Sequence, residues 1–344
     1  MIPQRFGEHP PGTVGVEEEL FVLDRETLEP VPVPPDILDG KRLKAELFAA
    51  VVELNTGICE TPEEAVAELA SLRAEAKQRA AAHGLVLAAA GTWPTAVSER
   101  QAITKDPGYR RFVDYAGSAA RRQFCSGLHV HVGIETAETC MRKLETVLPW
   151  LPVVLAVSAN SPYVAGVETG LASARAEILT LLPRAAAPPA FGSYAEWERF
   201  ADALVELGLA DRYTRIWWDV RPHPDYGTLE IRMPDQPTEL EATGGFIALL
   251  HALVGWAEAD GPADRGIYAQ NRWAALRFGR SAELIHPETA RLVAAADLLA
   301  ELLDRLGANE LATPLLDLVQ AEEQLRIGRR DGLRAVCERL VALT

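Results

Sequence analysis

The chain is short of most features that would place it in a familiar class. It has four cysteines in 344 residues, at 59, 125, 140 and 337, and no CxxC pair among them. That excludes a disulfide framework and a structural zinc site, and fits a reducing cytoplasm. Its first residues, "MIPQRFGEHPPG", lack the apolar core of a signal peptide. The most apolar run, "VLPWLPVVLAVSA", is too short and too interrupted by proline to span a bilayer, and reads as a buried helix. Positive charge is scarce: 34 Lys and Arg against 49 Asp and Glu give a formal net charge of −15. A nucleic-acid backbone is therefore excluded as the main partner, because phosphate tracking needs clustered cations. No Walker loop, Rossmann glycine fingerprint, internal repeat or low-complexity linker is present. The chain reads as one domain over 1–344, mostly helical after about 238, and at 48% hydrophobic it has ample material for a core.

What the chain does have is acid in unusual places. "TVGVEEELFVLD" (13–24) is strand-like yet carries three adjacent glutamates. Side chains alternate along a strand, so Val14, Val16, Leu20 and Val22 share one face with Glu18, while Glu17 and Glu19 share the other with Phe21 and Leu23. Two carboxylates on one face repel unless something positive lies between them, whether a metal ion or a basic partner; the alternative is a solvated edge strand. In "AAVVELNTGICETP", Glu53 and Asn55 alternate with Leu54 and Thr56. A capped helix follows, with Thr61 as N-cap, Pro62 at its first position and Glu64 completing a capping box; it runs to His83 before Gly84. "LVLAAAG" reads as a buried strand, and "YRRFVDYAGSAARR" as helix. "FCSGLHVHVGI" is a strand with His129, His131 and Gly133 on one face. Helices are expected over 138–158 and 194–207. A β-hairpin follows, with arms 215–221 and 228–233 and a turn through Pro222, Pro224, Asp225 and Gly227. Strands without regular βαβ alternation indicate an α+β fold with a mainly antiparallel sheet.

Each strand thus presents an apolar face and a face rich in Glu, His and Arg: Glu17 and Glu19, Glu53, His129 and His131, then Trp217, Asp219 and Arg221, and Thr228, Glu230 and Arg232. Carboxylates with no cysteine suit Mg²⁺ or Mn²⁺, and arginines on the same face suit anions. Divalent ions with arginines serve phosphoryl transfer.

The motifs "GVEEEL", "GLHVHVG", "WWDVRPHPDYGTLEIRMPD" and "NRWAALRFG", in that order, resemble the carboxylate–amine ligases of the glutamate–cysteine ligase type 2 family. The resemblance implies a glutamine-synthetase-like fold, a curved antiparallel sheet forming a funnel with helices outside, in a homodimer. It implies ATP and Mg²⁺ as cofactors and small-molecule carboxylate and amine substrates, with glutamate's γ-carboxyl activated as an acyl phosphate and captured by cysteine or another amine. By motif, it makes Glu17, Glu19, Glu53, Glu60, His129 and Glu230 metal ligands. Arg232 would grip the transferring phosphoryl group beside Glu230; Arg221, His131, Asn271 and Arg272 would contact nucleotide or phosphate; and Arg175 and Thr56 would bind substrate. The alternatives are a guanidino-kinase-like phosphotransferase, which would need Cys125 or Cys59 as its reactive thiol, a metal-dependent hydrolase, and a non-catalytic metabolite binder.

Overall fold

The 11-residue strand β1 (Val14–Asp24) organises the molecule. In the computed structural model, which describes residues 2, 4–256, 259, 261–307 and 310–344, six further strands join it in one sheet: β2 (Leu43–Ala45), β3 (Val51–Asn55), β4 (Leu85–Ala88), β5 (Leu128–Gly133), β6 (Val220–His223) and β7 (Thr228–Ile231). The order is β6-β7-β5-β1-β3-β2, every pair antiparallel, with β4 also on β1. Phe21 pairs with Val51 on one side and Ala88 on the other, so β5 and β4 flank successive halves of the same edge of β1.

The α+β class with an antiparallel sheet is what the residue pattern predicts. The funnel is not: the sheet is open, ending at β6 and at the three-residue β2, and no sheet among the described residues is closed or strongly curled. Closure would require the two terminal strands to pair, and each has a neighbour on one side only.

One face of the sheet is the core. Val14, Val16, Leu20, Val22, Val130, Val132, Leu229 and Ile231 pack there in a single apolar cluster. The helices that cover it are α1 (Pro62–Ala81), α2 (Ala137–Val147), α3 (Leu151–Ser158) and α4 (Leu240–Gly255). Thr61 Oγ1 caps α1 by accepting from Glu64 N at 3.2 Å, and the Glu64 carboxylate accepts from Glu60 N. Helix α4 is buried almost throughout, Phe246, Ile247, Leu249 and Leu250 completely; each contributes about 1.5–3 kcal/mol. The expected helix over 138–158 is two helices joined by a 3₁₀ turn at Leu148–Trp150, because Pro149 and Pro152 have no N–H to donate. Further on come α5 (Arg265–Phe278), α6 (Ala295–Leu306), α7 (Gln320–Asp331) and α8 (Leu333–Leu343). The first arm of the hairpin is shorter than expected, because Trp217–Trp218 pairs in parallel with Ala185–Ala186 instead. The hairpin turn needs glycine: Gly227 has φ 66°, and a Cβ there would lie 2.3 Å from Arg5 O.

β1 turns one of its acids to the core face. Glu18 is fully buried, and Arg73 of α1 clamps it, Nε to Oε2 at 2.9 Å and Nη2 to Oε1 at 2.5 Å. Gln236 and Thr243 donate to the same carboxylate. All four cysteines are free thiols. Among the described residues no helix is long and apolar enough to cross a membrane.

Candidate active site

The sheet register lines the residues of the opposite face into rows. Asn55, Glu17 and His129 lie side by side across β3, β1 and β5. Next to them run Gly15, His131, Glu230 and Arg221, across β1, β5, β7 and β6. A third row is Lys44, Glu53 and Glu19. Antiparallel pairing thus gathers residues about two hundred positions apart onto one patch.

In the first cluster, one donor atom from each of Glu17, His131 and Glu230 lies within 4.8 Å of the others. His129 Nδ1 is 3.1 Å from Glu17 Oε2. Burial opposes the Glu17 charge, but His129 and His131 outweigh it and hold its carboxyl well below the usual range. Burial likewise opposes Glu230, and the guanidinium groups of Arg221 and then Arg232 keep it well below. Arg221 is fully spent on this task. Its Nε and Nη2 donate to the two Glu230 oxygens at 2.5 and 3.1 Å, and its Nη1 donates to Thr214 O and Ile216 O. Burial and Arg232 push His129 down to about 4, so its ring is neutral. His131 goes the other way: burial is overcome by the carboxylates of Glu17 and Glu230. Its Nδ1 pairs with Thr228 Oγ1 at 3.0 Å, while Nε2, 3.7 Å from Glu17 Oε1, is buried without a hydrogen-bond partner.

The second cluster is Glu19, Glu46 and Glu53, again with one oxygen each within 4.8 Å. Glu46 lies just after β2, in the loop to β3 and outside any strand the sequence announces; the sequence reading missed it. Glu19 accepts from Gly127 N at 2.7 Å, and Glu53 accepts from Asn55 Nδ2 at 2.8 Å. Lys44 Nζ lies 3.7 Å from Glu53 Oε1, Leu47 N donates to Glu46 at 3.0 Å, and Arg175 and Arg232 act on Glu19, but burial outweighs them all. Burial pushes Glu19 up to about 7. It also raises Glu53, aided by the charge of Glu17, and raises Glu46 well above its ordinary value, aided by Glu53 and Glu19.

The remaining candidates are placed unequally. Arg232 bonds Glu230 through Nη1 alone, so its other guanidinium nitrogens are uncommitted among the described residues. Arg175 is buried, its Nη1 and Nη2 on the carbonyls of Met233 and Arg232 at 3.1 Å each, with Nε unpartnered. Gly127 makes room for it: a Cβ there would sit 2.0 Å from Arg175 Nη2. Thr56 Oγ1 accepts from Val16 N and donates to Gly57 O. Glu60 is exposed and belongs to neither cluster. Asn271 exchanges both amide atoms with the Ile285 backbone at 2.7 Å, and Arg272 is bound to Asp219 and Ala176 O. These two, expected to contact nucleotide or phosphate, tie α5 to its neighbours here.

Two cavities open on the patch. One is lined by Glu19, Glu46, Cys125, His129, Arg175 and Arg232, with Tyr109, Phe112 and Trp217 on its apolar wall. The other is lined by Glu17, His131, Asn55, Thr56, Lys44 and Tyr226. Asn271 and Arg272 line neither. Cys125 is the thiol a guanidino kinase would need, but burial pushes it up to about 12, where it stays protonated.

Residues 13–330 match the model of glutamate-cysteine ligase family 2. A glutamate–cysteine ligase of Haloferax volcanii is 36% identical over 345 residues, 96% of this chain and 96% of that one. The chain belongs to glutamate–cysteine ligase family 2. This family member is an ATP-dependent carboxylate–amine ligase. It is also 39% identical over 309 residues to a putative glutamate–cysteine ligase 2-3 of Rubrobacter xylanophilus, covering 88% of the ligase and 85% of that chain. Its fold is similar to that of the glutamate–cysteine ligase of Francisella tularensis solved in complex with AMP, with a TM-score of 0.71 at 12% identity over 96% of this chain and 88% of that one.

Proposed function

We propose that this ligase uses ATP to phosphorylate a substrate carboxylate, glutamate's γ-carboxyl in the first instance, and transfers the acyl group to an amine, cysteine being the first to test. Relatives named as glutamate–cysteine ligases support the choice of substrates. The observation that carries the reading is the pairing of two hard-donor clusters with a partly uncommitted arginine, Arg232, on one face.

The donor sets suit Mg²⁺ or Mn²⁺: mostly carboxylate oxygens, with the orphaned His131 Nε2 in one of them. Glu17, His131 and Glu230 would hold one ion, and Glu19, Glu46 and Glu53 another. Such ions, when bound, neutralise phosphate oxygens and polarise the phosphoryl group. Arg221 positions Glu230 by holding both of its oxygens. His129, neutral, fixes the rotamer of Glu17. Arg232 presents its free donors to the transferring phosphoryl group, adding charge where it develops. Arg175, pinned by two carbonyls, offers Nε to the substrate's α-carboxylate, and Thr56 lines the second cavity. We read the protein as a single-domain ligase acting as a homodimer in the cytoplasm; its free cysteines agree with a reducing compartment, and sedimentation tests the dimer.

The deciding experiment incubates the protein with ATP, Mg²⁺ and a panel of amino acids, and follows condensed product and ADP by mass spectrometry. ADP that appears only with both an acid and an amine supports the reading. ADP formed equally fast in water alone overturns it.

A further inference from the structure

A cavity of about 330 Å³ lies away from the two carboxylate clusters, between the N-termini of α4 and α7 and the face of α8. It shares no lining residue with the two cavities of the catalytic face. We propose that it is a second binding site, for a free α-amino acid with an apolar side chain.

Three features argue for that chemistry together. The floor is apolar, formed by Ile327, Val336, Leu340 and Leu343. The rim is acidic: Glu239, Glu241 and Asp317 line it, are exposed, and make no ion pair among the described residues, while Arg339 is engaged by Glu323 at 3.1 Å. An ammonium group fits that rim, and an acidic side chain does not. The third feature is an unused donor and an unused acceptor. Thr238 N donates to Gln320 Oε1 at 2.9 Å, which fixes the amide and leaves Gln320 Nε2 without a partner. Gln324, 4% exposed, spends Nε2 on Asn160 Oδ1 at 2.7 Å and Asn160 O at 3.1 Å, leaving Oε1 unpartnered. Helices α4 and α7 both begin without a side-chain cap, so their first-turn N–H groups are free for a carboxylate. A zwitterion satisfies the whole set: carboxylate on Gln320 Nε2 and the helix amides, ammonium on Gln324 Oε1 and the acidic rim. An ion of one sign would leave half of it unmet.

Hydrogen exchange on the full-length protein, with L-leucine as the probe, tests this. The expected result is saturable protection of the first-turn amides of α4 and α7. A Glu241→Gln, Asp317→Asn double variant, with turnover as in the wild type, should bind L-leucine about tenfold more weakly, as should the wild type bind 4-methylpentanoate or 3-methylbutylamine, each lacking one charge. No protection at millimolar L-leucine overturns the proposal. So does equal protection by the amine alone, or protection that the double variant leaves unchanged.

Discussion

Two carboxylate clusters lie on one sheet face, and they differ in what neutralises them. Around Glu17 and Glu230 the protein supplies its own partners: Arg221 and Arg232 hold Glu230 ionised, and His131 together with a hydrogen bond from the neutral His129 holds Glu17. Around Glu19, Glu46 and Glu53 the cations Lys44, Arg175 and Arg232 are outweighed by burial and mutual repulsion, and all three titrate high. The first cluster is preorganised; the second is an anionic hole that asks for an ion from outside. A protein that merely displayed acids would have no reason to treat the two so differently.

The contrast can be pushed hardest at Glu230. Glu230→Gln removes the acid that orients Arg232, and ATP-dependent product formation should fall by about 10³-fold, measured against a wild-type thermal melt to confirm folding. Arg221→Met attacks the same cluster from its cationic side. It leaves Glu230 buried with one partner fewer, at a cost of about 3 kcal/mol of stability in urea unfolding. A pH series on metal-free protein separates the clusters by sign. Glu19, with its value moved from 4.5 to about 7, keeps its proton in the folded chain after the unfolded chain has lost it. Stability should therefore fall as pH rises from about 4.5 to 7, on the order of 2 kcal/mol, and saturating Mg²⁺ should remove the slope. Glu17 and Glu230, held low, give the opposite slope, and only in acid. The smallest effect belongs to Glu46→Gln. It should stabilise the metal-free protein by about 1 kcal/mol, by relieving like-charge repulsion, while weakening Mg²⁺ binding seen by calorimetry.

Much of this face was legible from alternation alone. Glu17, Glu19, Glu53, His129, His131 and Glu230 each sit on the parity the strands dictate. What alternation cannot supply is register, and register decides which histidine faces which acid: His129 lies beside Glu17, yet it is His131, opposite Glu230, that joins the first cluster. Glu46 escaped because it lies in the loop after β2, outside any strand expected from the sequence. The arginines' partners were hidden as well. Arg221 and Arg272 read as anion grips in sequence, and sequence cannot show that each is also bound by neighbouring acids and carbonyls. Sheet curvature lay out of reach as well, since it depends on which edges meet.

Three consecutive glutamates give β1 two mirror-like frames, one residue apart. A slip by one would carry Glu17 and Glu19 into the oil of the core and turn Glu18 onto the polar face. Arg73 breaks that ambiguity, because its fork sits opposite a single position in the frame and nothing equivalent waits for the other two. A contact on the core face thereby decides which carboxylates reach the polar face.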